Sequence, residues 1–346
     1  MKILSGIGLL LVSTLLLSDT LTILNWEGYL DSSVISRWQK QSGHTLQQIY
    51  FDNDEDRDSV MVGHKDRVID LVVLDESASK TFGASGTLLA FKSNPKVANI
   101  QDIDQRWQNV CGDYAVPYLW GTLGVAYRTD KVSPAPSSWH ELLTPNKTLS
   151  GHIGLMDDFV DLLAPALFVD NHSISTNNVH QLKGAFERLK GLLPHVLTFE
   201  YGISFLDSNS DKDSLYLTLA YSGDQYLLNE KSGSENWNFT TLKEGTVAWM
   251  DCFAVMMDSP RQDLALDFLN YLYQPEIAAL NSEALYIATP MQSARTLQTK
   301  EFLSDTTVYA PVEVMNNAQY YEVLDKENIL LRNRITSSLV KIHESK

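Results

Sequence analysis

Two short stretches carry the side chains that could hold a desolvated organic cation. Asn25-Trp26-Glu27-Gly28-Tyr29-Leu30-Asp31 places an indole and a phenol three residues apart, where an expected strand gives way to a helix. Trp249-Met250-Asp251 repeats the indole and adds a carboxylate. A buried ammonium needs a carboxylate or several acceptors. An indole face supplies a flat apolar wall and about 0.5–2 kcal/mol of cation–π attraction. Other expected strand ends contribute Asp75, Glu76 and Ser77, then Asp158 with Asp161 one helical turn on, then Tyr221. Each has a bland alternative: core aromatics for the rings, helix caps and first-turn acids for the carboxylates. Their coincidence at strand ends, where open α/β sheets bind ligands, favours a cation site.

Enzyme chemistry has little support. The chain lacks Gly-x-Ser-x-Gly, a phosphate-binding glycine loop and Gly-x-Gly-x-x-Gly. Asp157 and Asp158 are adjacent, and neighbours on a strand point to opposite faces, so they do not form a catalytic pair. No Cys-x-x-Cys or Cys/His spacing suggests zinc, so neither metal nor cofactor is expected. The formal net charge of −16 disfavours nucleic acid and anionic membranes as partners and favours encounter with cations. Acidity that merely keeps an exported protein soluble is the competing reading.

The positioning elements follow from the pattern. Ile3 to Leu17 is an apolar run behind a single Lys, and Ser18-Asp19-Thr20 restores polarity, which reads as a signal peptide over residues 1–18 and a periplasmic destination. The run is short for a membrane span, which needs about 20 residues. Leu21 to Leu24 reads as a strand, Ser32 to Gly43 as a helix and Leu46 to Phe51 as a second strand. The acidic stretch Asp52 to Asp58 leads into another helix, and Asp70 to Leu74 is a strand apolar on both faces, of the parallel kind. This βαβαβ opening argues for α/β architecture. Tyr114 to Tyr127 reads as a crossover into a second domain, and Thr246 to Met257 as a strand that returns near residue 251. Two amphipathic helices are marked by Leu182, Ala185, Phe186, Leu189 and Leu193, and by Ala265, Phe268, Leu269 and Leu272. Two cysteines, Cys111 and Cys252, are compatible with one disulfide near the crossing or with two buried thiols, and the sequence leaves both open.

On Asn25-Trp26 with Tyr29, Asp70 to Val73, Val116 to Gly121, Asp157-Asp158 with Asp161, Trp249-Met250-Asp251 and Thr289-Pro290, the chain resembles the periplasmic spermidine/putrescine-binding proteins of polyamine ABC importers. The resemblance runs over nearly the whole mature sequence. It implies two α/β lobes, each a mostly parallel sheet flanked by helices, closing on an extended polyamine in the cleft. Lobe 1 would comprise residues 19–121 and 252–296, and lobe 2 residues 122–251 and 297–346. It also implies a monomer whose partner is an ABC permease or, as in the family's norspermidine and spermidine sensors, a membrane signalling receptor. By this likeness Trp26 and Trp249 are walls, Tyr29 a hydroxyl contact, and Asp158, Asp161 and Asp251 amine-binding carboxylates. The sequence departs from the family pattern elsewhere. Family pocket residues fall on Asp75, Ser77 and Tyr221; a displaced pocket tyrosine becomes Tyr286; and a C-terminal glutamine falls near Asp325.

Overall fold

A computed structural model describes residues 18–51, 54–63 and 68–345, the Glu55 side chain excepted. The expected signal peptide lies almost wholly outside the described residues. Among these, no helix is long and apolar enough to cross a membrane.

Ten strands form the frame: β1 (Thr20–Asn25), β2 (Thr45–Tyr50), β3 (Leu71–Asp75), β4 (Ala115–Arg128), β5 (Ile153–Gly154), β6 (Val196–Thr198), β7 (Leu217–Tyr221), β8 (Trp237–Thr240), β9 (Thr246–Val255) and β10 (Ala318–Tyr320). Their order is β2-β1-β3-β9-β4-β7-β5-β6, with β10 on β9 and β8 on β4. β1 pairs in parallel with β2 and β3, and β5 with β6 and β7, while β4 and β9 run antiparallel to each other. Parallel strands need crossover helices on both faces, which makes the α/β architecture.

Local chemistry sets the elements around the N-terminal half of the frame. Helix α1 (Ser32–Ser42) is capped by Asp31, whose carboxylate accepts from the Ser33 amide, and stops at Gly43 in the left-handed region. Helix α2 spans Asp54–Gly63. Helix α3 (Glu76–Ala84) starts at Asp75, which accepts from the amides of Ser77 and Ala78. β5 has only two residues, and the chain after it turns at Asp158, whose carboxylate accepts from the Val160 amide.

Packing divides the molecule into two main cores. One is built on β1, β3, the first half of β4 and the second half of β9, and includes Trp120 and Met250; the other includes Leu123 and Val247. The chain thus passes between them on β4 between Trp120 and Leu123, and on β9 between Val247 and Met250. The third passage falls later than residue 296, the boundary expected from the sequence. Phe302, Val308 and Tyr309 pack into the first core, whereas Ile335 and Leu339 belong to the second. Ring contact of Tyr309 with Trp120, and its hydroxyl donating to Gln298, hold this segment on the first side. The return runs through β10 beside β9.

Cys111 and Cys252 form a disulfide, closing a loop with a sequence separation of 141. The Ser79 hydroxyl donates to the Cys111 carbonyl at 3.1 Å, so the bridge ties α3 to the crossing strand β9.

Candidate functional site

The carboxylates and aromatic rings gather where β4, β9 and β10 pass between the cores. On the first side, the segment after β1 carries Trp26, whose ring lies 4.3 Å from that of the buried Phe51. Tyr29 is fixed by its backbone, since the Tyr118 hydroxyl donates to the Tyr29 carbonyl at 2.6 Å and is itself held by Asn281. That leaves the Tyr29 hydroxyl to donate to Asp251 Oδ2 at 2.6 Å. Asp251 sits directly opposite Asp75 in the β3–β9 register. Paired positions share one face of a sheet, so two acids stand side by side, an arrangement that is unfavourable without a cation.

On the second side, Asp158 ends the turn after β5. Its Oδ1 accepts from the amides of Val160 and Asp161 at 2.7 and 2.6 Å. These acids therefore form a capped turn that precedes the helix Ala164–Val169, rather than its first turn. Asp161 is buried, and its carboxylate accepts from the Tyr221 hydroxyl at 2.6 Å and from the Tyr321 hydroxyl at 2.7 and 2.8 Å. The Trp249 ring packs edge-on against Tyr221 at 5.9 Å. It reaches that place because residue 121 is glycine: a Cβ there would lie 2.5 Å from the indole.

Burial dominates the electrostatics. It pushes Asp251 up to about 7, with the neighbouring Asp75 and Asp54 adding to the rise and the Tyr29 hydroxyl and Arg57 opposing it. Asp158 rises to about 7 by burial and by Asp161 beside it, against the two capping amides. Asp161 rises only to about 6, since its two tyrosine donors favour the charged form. Asp54, partly buried with its side chain 45% exposed, is raised to about 7 by desolvation and by Asp75, against Arg57. Asp75 also raises Asp158, Asp158 raises Asp54, and Asp54 raises Asp161 and Asp251, so acids from both sides share one field. Burial of so many carboxyls with few basic partners leaves this region short of positive charge. A bound cation would restore their ionisation.

The chain matches the model of the bacterial extracellular solute-binding protein family over residues 34–310. It belongs to that family. Family members bind solutes and are not enzymes. Among curated relatives, the norspermidine sensor of Vibrio cholerae is 33% identical over 94% of this chain and 90% of its own length. The spermidine/putrescine-binding periplasmic protein of Escherichia coli is 24% identical over 88% of this chain and 86% of its own. Among solved structures, the substrate-binding protein of a spermidine/putrescine ABC transporter from Streptococcus pneumoniae superposes with a TM-score of 0.80 at 23% identity, covering 94% of this chain and 99% of that one.

Within this solute-binding fold, the structure brings together Tyr29, Asp75 and Asp251 on one side and Asp158, Asp161, Tyr221 and Trp249 on the other. Ser77 lies in the first turn of α3 and gives its amide to Asp75. Tyr286 is 40% exposed, ends the helix Pro275–Leu285 in the left-handed region and stacks on Tyr226 at 4.2 Å. Asp325 is exposed and caps the C-terminal helix Lys326–Glu344. The C-terminal side chain that reaches the acids is Tyr321, just past β10, whose hydroxyl donates to Asp161.

Two residues at the site, Tyr321 and Arg57, escape the sequence reading, and Glu76, named there at a strand end, has a connecting role. Tyr321 followed no periodic signal. Glu76 is buried and pushed up to about 8 by burial and by Asp75, while its carboxylate accepts from the amides of Met250 and Tyr321 at 3.2 Å each. It thereby joins α3 to β9 and to the third passage. Arg57, the single base in the acidic stretch, is 2% exposed and paired with Asp54, Asp58 and Asp75. The basic residue surrounded by acids was the available signal.

Proposed function

We propose that this chain is a periplasmic polyamine-binding protein. The observation that carries the reading is the pair of carboxylate seats, Asp251 with Tyr29 and Asp158 with Asp161, contributed by the two cores and sharing one acidic field. A linear polyamine carries ammonium groups spaced along a flexible methylene chain. Its charges match the seats, and its methylenes match the walls offered by Trp26 and Trp249. Sugars lack the charge, and an α-amino acid brings a carboxylate that these acids repel. The similarity to relatives named for spermidine, putrescine and norspermidine supports the same ligand class. A thermal-shift panel of the mature chain tests it: norspermidine, spermidine and putrescine raise the melting temperature, and maltose and lysine leave it unchanged. A shift with only maltose or lysine would end the reading.

For the role of the bound state, delivery to an ABC importer is the expectation from family frequency. A sensor that presents its closed lobes to a membrane signalling receptor is the second reading, favoured by 33% identity to the norspermidine sensor against 24% to the transport protein. Both roles work through a partner's differential affinity for open and closed lobes. Uptake of labelled polyamine after deletion separates them: lost uptake supports import, and unchanged uptake with altered growth on a surface supports sensing.

A further inference from the structure

Arg57 gives the cleft a cation of its own. The guanidinium lies over the Phe51 ring, 5.8 Å from its centre, and Phe51 packs against Trp26. Nη1 reaches Asp54 Oδ1 at 2.6 Å and Asp75 Oδ2 at 3.4 Å, and Nη2 reaches Asp58 Oδ1 at 2.8 Å. Asp75 is thus engaged on both oxygens, Oδ2 by the guanidinium and Oδ1 by the amides of Ser77 and Ala78. It stands opposite Asp251 on one face of the sheet, yet only Asp251 lacks a basic partner among the described residues. Two of the acids around Arg57, Asp54 and Asp75, are coupled to Asp251, Asp75 also to Asp158, and Asp54 also to Asp161. Arg57 is fixed in place, because a fork held by three carboxylates and stacked on a ring has little freedom to leave.

We propose that Arg57 is a specificity determinant that counts ligand charge: its guanidinium occupies the Asp54, Asp58 and Asp75 carboxylates that would otherwise receive an additional ammonium, so the cleft favours polyamines with two or three ammonium groups over those with four. This inference rests on the polyamine reading. An ammonium extended toward Asp75 would meet a fixed positive charge with its acids already paired, and rejection by a like charge is a recognised source of specificity. Asp54, whose side chain is 45% exposed, offsets part of that charge.

The test is titration calorimetry of the full mature chain and of three variants, Arg57→Gln, Arg57→Lys and Asp54→Asn, each with putrescine, norspermidine and spermine. Arg57→Gln should raise the ratio of spermine to putrescine affinity about tenfold, and Arg57→Lys, which keeps the charge, should hold the parent ratio. Asp54→Asn should lower the ratio, and it decides the matter if Arg57→Gln does not fold. An unchanged ratio in Asp54→Asn and in folded Arg57→Gln overturns the inference and leaves polyamine binding standing. A parent chain that binds none of the three overturns the polyamine reading itself.

Discussion

Asp251→Asn removes one negative charge from a place where the ligand needs it and the ligand-free fold resists it. The asparagine carbonyl still accepts from the Tyr29 hydroxyl, which donates to Asp251 at 2.6 Å, so local geometry persists. An ammonium about 4 Å from the carboxylate gains roughly 4 kcal/mol at an effective dielectric of about 20. A neutral acceptor retains about 1 kcal/mol of that, and ionising a carboxyl near its pKa costs under about 1 kcal/mol at neutral pH. The net loss is about 2–3 kcal/mol, a weakening of roughly 30- to 150-fold. Stability moves the other way. The folded carboxyl is raised from 3.8 to about 7, chiefly by burial. Below the unfolded value both states are protonated and the group's contribution is fully present. As pH rises through about 7 the unfolded chain has ionised and the folded one has resisted, so that contribution is lost. Asparagine cannot ionise and escapes the loss, which is at most about 4 kcal/mol at about pH 8. Calorimetric titration and ligand-free melting at acid and mildly alkaline pH are the assays. A variant that binds like the parent, or one that melts lower than the parent at alkaline pH, would refute the reasoning.

Three further outcomes are expected. Gly121→Ala should weaken polyamine binding by about 1–3 kcal/mol while β4 still pairs with β9, because the new Cβ meets the Trp249 indole and displaces it; fluorescence of the binding-deficient variant should shift, and an unmoved spectrum with full affinity would argue against the indole as a wall. Tyr321→Phe leaves Asp161 with the Tyr221 donor alone, so the Asp161 pKa rises above about 6 and the acid limb of the binding profile moves to higher pH, with about 1 kcal/mol of affinity lost; an unshifted limb would place Tyr321 outside the site. Unfolded, unreduced protein should titrate with no free thiol, and the double serine variant of Cys111 and Cys252 should lose about 2–5 kcal/mol of stability; two free thiols would rule the bridge out.

Much of the frame is visible in the sequence because buried parallel strands announce themselves. Leu71 to Leu74 is apolar on every residue and sits in the sheet centre with both faces covered. Strand ends then locate Tyr29 and Asp158 without any knowledge of the partners they meet, whereas Asp251, expected at a strand end, lies in the middle of β9 where the strand passes between the cores. The remainder depends on contacts far apart in the chain. β10 has three residues, too few for a period, so Tyr321 gives no local sign that it reaches Asp161, 160 residues earlier. Arg57 lies on a helix whose first turn is acidic, a pattern that ordinarily marks a solvated face. Only the fold shows the side chain buried against Phe51 and turned toward Asp75. The third passage between cores lies later than the sequence suggests for a related reason. Phe302 and Tyr309 are apolar enough for either core, and the choice is made by Trp120 and Gln298, which tertiary structure brings to them.

The most direct test of the central claim counts protons. If the cleft is a set of carboxyls held near neutrality by burial and released by a polycation, norspermidine binding must expel protons. Titration calorimetry of the mature chain at about pH 7, in two buffers of different ionisation enthalpy, measures that number directly. The account predicts one-site binding with net proton release that fades as the pH is raised. Binding without proton exchange, or no binding of any polyamine by folded protein, would contradict it.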